Sequence, residues 1–71
     1  MNIISPKKLQ NSKWTAVVPL NKEKHFIITE VEYDEDGVVI SCLLEAIISK
    51  RSTHIHWPSL KDTEQWLQGW K

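Results

Sequence analysis

Between Lys13 and Trp57 the chain repeatedly alternates apolar and polar residues, and this period of two restricts its fold more than any other feature. From His25 to Tyr33, the side chains Ile27, Thr29, Val31 and Tyr33 alternate with Ile28, Glu30 and Glu32. Neighbouring side chains of a strand point to opposite faces, so this run predicts a strand with its carboxylates on the wet face. Asp34-Glu35-Asp36-Gly37 follows. Asp-Gly between apolar runs predicts a hairpin, because glycine takes positive φ without penalty. Lys13 to Val18 reads as an earlier strand, with Trp14, Ala16 and Val18 on one face and Lys13, Thr15 and Val17 on the other. Pro19 closes it, since proline cannot donate to a ladder. Asn21 to Lys24 reads as a polar loop.

Val38 to Ile48 fits one long strand, although Leu43, Leu44, Ile47 and Ile48 also suit a helix. The β-branched start at Val38-Val39-Ile40 favours strand, and a strand of this length needs a bend or bulge to curl over a small core. Thr53 to Trp57 resumes the alternation and Pro58 ends it. Beyond it, Leu60, Thr63, Trp66, Leu67 and Trp70 fall on one stripe at helical spacing, with Lys61, Asp62, Glu64, Gln65 and Gln68 opposite. Ser59 and Asp62 have capping-box spacing, and Gly69 sits where a left-handed helix cap belongs. The expected architecture is α+β. It is a single small domain over 1–71, with an N-terminal arm (1–12), a curled antiparallel sheet of about four strands (13–57) and one C-terminal helix (59–69). The alternation leaves open whether the sheet closes into a small barrel.

Such a chain must be stabilised by packing. It has 71 residues and a single cysteine, Cys42, so no intrachain disulfide is available. A lone thiol among apolar neighbours suits a reducing, cytoplasmic setting. No stretch approaches a membrane span or the apolar core of a signal peptide. Four tryptophans supply large apolar area. Trp14, Trp57 and Trp66 are expected in the core, whereas Trp70, beyond Gly69, reads equally as a lid or as an exposed anchor for a partner. The formal net charge of +0 hides three blocks. Residues 1–28 hold five lysines against Glu23, residues 29–48 hold six acids and no base, and residues 49–71 hold four bases against two acids. Blocks of this kind either attract across neighbouring strands or mark a binding surface.

Catalytic patterns are weak. Cys42 falls on the expected core face, where a thiol is inert. Glu30 and Glu32 share a strand face without the burial that tunes an acid–base pair. His54 and His56 share a face, with His25 as a possible third ligand, but two imidazoles on a wet strand face are the ordinary reading. The chain is therefore expected to be neither an enzyme nor a metal or cofactor carrier. A stacking platform for single-stranded nucleic acid, built from Lys13, Trp14 and Arg51, is the alternative to a protein-binding surface.

Several elements carry a resemblance: Asn11-Ser12-Lys13-Trp14-Thr15-Ala16-Val17 with Pro19, Lys24-His25-Phe26, Leu44-Glu45-Ala46, Arg51, Trp57 with Leu60 and Asp62, and Trp66 with Gly69-Trp70. Together they resemble the short tryptophan-rich bacterial proteins of unknown function, from about Leu9 to Trp70. The resemblance implies a bacterial source and supplies no activity. It draws attention to polar residues in strands, namely Lys13, Lys24, His25, Glu45 and Arg51. With Trp14, Trp57 and Trp70 they make the candidate binding set. Glu45 could pair with Lys24 or Arg51, or these groups could ring a ligand groove beside Trp14 and Trp57. The expected function is a small cytoplasmic, non-catalytic binding or protein-interaction module. Its partner is a protein or a second copy of the chain, with nucleic acid as the alternative and no membrane.

Overall fold

The computed structural model describes residues 2–71. Five strands form one antiparallel sheet: β1 (Lys13–Leu20), β2 (Glu23–Tyr33), β3 (Val39–Ala46), β4 (Ser52–His54) and β5 (Trp66–Gln68). Their spatial order is β4-β3-β2-β1-β5, so the sheet ends in two free edges and is not a closed barrel. Two short 3-10 turns, Pro6–Lys8 and Trp57–Lys61, are the only helical pieces among the described residues. Among the described residues, no helix is long and apolar enough to cross a membrane.

The hairpins follow from local chemistry. β1 joins β2 through Asn21-Lys22, both at positive φ (55° and 62°), as a primed two-residue turn requires. The predicted hairpin at Asp34–Gly37 forms. The Asp34 carboxylate accepts from the amides of Asp36 and Val38, both at 2.9 Å, and Gly37 takes φ 80°.

Register shifts in β2–β3 pairing decide which side chains are buried. Ile28 pairs with Leu44, but Glu30 pairs with Leu43, so Thr29 is the extra residue. The core face therefore changes parity, from Phe26 and Ile28 to Val31. Uninterrupted alternation had put Ile27 with Val31 and opposite Ile28. In the fold Ile28 is fully buried and Ile27 lies on the other face, beside Lys13 and Glu45. The expected strand from Val38 to Ile48 starts at Val39 and stops at Ala46, where a turn leads to β4.

The expected C-terminal helix over 59–69 is absent, and the fold is an all-antiparallel sheet with short turns. The 3-10 turn Trp57–Lys61, with Pro58 in its first turn, is capped by Asp62, whose backbone is extended (φ −78°, ψ 109°). The Asp62 carboxylate then accepts from the Glu64 amide (2.9 Å) and the Gln65 side-chain amide (3.2 Å), which holds a turn in place of a helix. β5 follows and pairs with the free side of β1, Trp14 opposite Gln68 and Ala16 opposite Trp66. An isolated helix of this length is marginal in water, whereas this strand satisfies backbone groups on β1 that would otherwise be open. Gly69 is left-handed as expected (φ 81°), but it turns the chain after a strand.

The core lies between one face of the sheet and the segments crossing it. Leu9 from the N-terminal arm and Leu60 from the second turn are fully buried against Trp14, Ile28, Cys42 and Leu44. Asn2 ties these covering segments together. Its amide donates to the Lys61 carbonyl (3.0 Å), and its side chain donates to the carbonyls of Leu60 (2.9 Å) and Trp66 (2.7 Å).

Candidate functional site: a groove between the sheet edges

The eight candidate residues divide among three places. Trp14 is 0% exposed, and its indole donates to the Ser12 hydroxyl (2.8 Å), which donates to the Leu9 carbonyl (2.5 Å). It anchors the arm to the core and presents no ring to a ligand. Trp57 is half-buried against the same core, with the Lys61 ammonium 5.1 Å from its ring centroid.

Lys13, His25 and Trp70 meet on the outer face of the sheet. Gly69 donates to the Lys13 carbonyl (2.7 Å), and the Trp70 indole donates to the Phe26 carbonyl (2.9 Å), so the terminal segment folds over β1 and β2. The Lys13 ammonium lies 4.9 Å from the Trp70 ring centroid, and the His25 ring lies 6.3 Å from it. His25 Nε2 donates to the Lys71 carbonyl (3.0 Å). Beneath, the buried Thr15 hydroxyl donates to the Gly69 carbonyl (2.7 Å) and accepts from the Lys71 amide (2.9 Å). Glu45 is on the same face, across Ile27 from Lys13.

Lys24 follows Glu23 at the start of β2, and Arg51 immediately precedes β4. Arg51 donates to both oxygens of Glu23 through Nε and Nη2, and the Ser49 hydroxyl donates to the same carboxylate (2.5 Å). The partner of Arg51 is thus Glu23, and Lys24 stands exposed beside it. Glu23 is covered mainly by Arg51, since its side chain is 5% exposed while that of Arg51 is 58% exposed. The Arg51 guanidinium, then the Ser49 hydroxyl, hold the Glu23 carboxyl below the usual carboxylate range. A carboxylate with a lowered folded pKa stabilises the fold above its unfolded pKa, and that contribution is lost as pH falls through the folded value. Urea midpoints should therefore fall more steeply below about pH 4 in the wild type than in Glu23→Gln. Equal slopes would show that the pair contributes nothing to acid stability.

Above Glu23 and Arg51 opens a groove of about 390 Å³. Phe26 and Leu44 form its floor, Trp66 and Ala16 one side, and Thr53 and Ile55 the other. Phe26 and Trp66 pack edge to face, with centroids 5.3 Å apart. The exposed Val18 and Leu20 form the rim on β1. The groove exists because β4 and β5, the two sheet edges, curl toward each other without pairing.

Of these residues only Arg51 belonged to the candidate set. Glu23 was the lone acid among the five lysines of the first 28 residues, a signal that it has a fixed partner. Trp66 was misplaced because its neighbours fit a helical stripe. Cys42 is buried, and burial raises its thiol pKa, which keeps it protonated and unreactive.

The family described as Tryptophan-rich protein (DUF2389) matches residues 12–71. The chain belongs to this family. The match takes in all five strands and all four tryptophans, and it leaves most of the N-terminal arm outside. The family is one of unknown function, in line with the resemblance read from the sequence. No curated protein and no solved structure matches the chain.

Proposed function

We propose that this protein is a non-catalytic binding module whose groove receives apolar side chains of a partner protein. The observation that carries this reading is the apolar lining of the groove, where half-buried Phe26 and Trp66 meet the exposed rim of Val18 and Leu20 between two sheet edges. Its volume lies within the range of ligand pockets. The carboxylate beside it, Glu23, has its oxygens taken by Arg51 and Ser49, so it is a fastening and not a poised base. The nucleic-acid reading loses support from the same geometry. Trp14 is buried, and the Arg51 guanidinium is taken up by Glu23.

A short extended peptide, acetyl-Leu-Val-Leu-amide, is a suitable probe. It should shift the amide resonances of Phe26, Leu44, Ile55 and Trp66. Val18→Glu, which places a charge on the exposed rim, should weaken that binding by about tenfold or more, the equivalent of ~1.4 kcal/mol. Shifts centred on Lys13, His25 and Trp70 would contradict the reading.

A further inference from the structure

The two ends of the sheet carry opposite charge. At one end Asp34, Glu35 and Asp36 stand exposed in the β2–β3 hairpin, with Glu30 and Glu32 exposed behind them. The cations nearest to them are Lys7 and Lys8, in the turn held by the Tyr33 hydroxyl through its bond to the Pro6 carbonyl (2.6 Å). At the other end Lys22, Lys24, Lys50 and Arg51 stand exposed around Glu23, which Arg51 neutralises. The exposed Glu64 lines the same groove as this pair. β2 spans the distance between these ends, about 30 Å at a strand rise of ~3.3 Å per residue. The Debye length at physiological ionic strength is about 8 Å. The acidic hairpin and the basic turns therefore do not neutralise each other within one molecule.

The edge joining these ends is open. β4 covers β3 only over Leu43, Leu44 and Glu45. Ala46 donates to the Arg51 carbonyl and Ile55 to the Cys42 carbonyl, which turns residues 51, 53 and 55 toward β3. The backbone groups of Ser52 and His54 consequently point outward. Pro19 blunts β1 near the opposite edge, whereas no proline interrupts residues 38–57. Large apolar side chains flank the open edge at both ends, Ile40 (62% exposed) by the acidic hairpin and Ile48 (75% exposed) by the basic turn.

From this pattern we infer that the β3–β4 edge is a self-association surface whose occupant is a second copy of the chain, related by a twofold axis. Reversing one copy brings the acidic hairpin of each beside Lys24 and Lys50 of the other, and Ile40 of each toward Ile48 of the other. The contact is self-complementary and closes at two copies. It leaves the groove floor of each copy free, so it stands apart from the groove reading.

Sedimentation equilibrium of the full chain tests this. The wild type should form dimers at low salt that weaken as salt rises. Lys24→Glu with Lys50→Glu should raise the dimer dissociation constant at least tenfold, and so should Glu35→Lys with Asp36→Lys. An equimolar mixture of the two double variants should recover wild-type association, because each basic hairpin then meets an acidic turn. That recovery also shows that both variants are folded. A wild type that stays monomeric at millimolar concentration and low salt, a mixture that fails to associate, or growth past the dimer would overturn the inference.

Discussion

Trp14→Ala should unfold most of the protein at room temperature. The indole is wholly buried, contributes the largest side chain of the core and fastens the arm through Ser12 to the Leu9 carbonyl. Large-to-small changes at such a position cost about 3–5 kcal/mol. A 71-residue domain without disulfides or metals belongs at the low end of the ~5–15 kcal/mol stability range. The loss thus consumes most or all of the available stability. Trp14→Phe separates the two contributions, since it keeps most of the apolar area and removes only the indole donor. Ser12 would still donate to Leu9, so the variant should remain folded. Urea unfolding followed by circular dichroism distinguishes the pair. A cooperative Trp14→Ala transition near the wild-type midpoint would mean that the core does not depend on this ring.

Leu60→Ala should be nearly as damaging, at about 2–5 kcal/mol. Leu60 is fully buried although it belongs to a five-residue 3-10 turn. The turn has few internal hydrogen bonds to lose, so the cost measures how firmly the segment plugs the core. Asn2 grips the Leu60 carbonyl and should keep the backbone in place, leaving a cavity where the side chain was. If the turn were a loosely attached loop, the urea midpoint would move by little.

The antiparallel sheet and its central hairpin were legible in the alternation and in Asp34–Gly37, because both signals are local. Three features were not. The extra residue at Thr29 exchanges the faces of β2, and nothing in Ile27-Ile28-Thr29-Glu30 marks where the shift occurs. The segment from Ser59 to Trp70 has helical spacing, but the unfilled side of β1 determines its structure, and that vacancy exists only once the sheet is assembled. In β5, Trp66 goes to the core side while Trp70, past the left-handed Gly69, crosses to the outer face. A helical stripe would have put both on one side. The candidate polar residues were dispersed for a related reason. Lys13 and His25 share a face through pairing register, whereas Arg51 is committed to Glu23 by the adjoining turns, a contact 28 residues apart in the chain.

The groove, and with it the proposed binding role, depends on the last segment being a strand that forms one wall. Backbone NMR of residues 59–70 tests that dependence most directly. The structure predicts extended carbon chemical shifts over Trp66–Gln68 and cross-strand contacts joining Ala16 to Trp66 and Trp14 to Gln68. Continuous helical shifts across 59–69, with no contacts to β1, would contradict it.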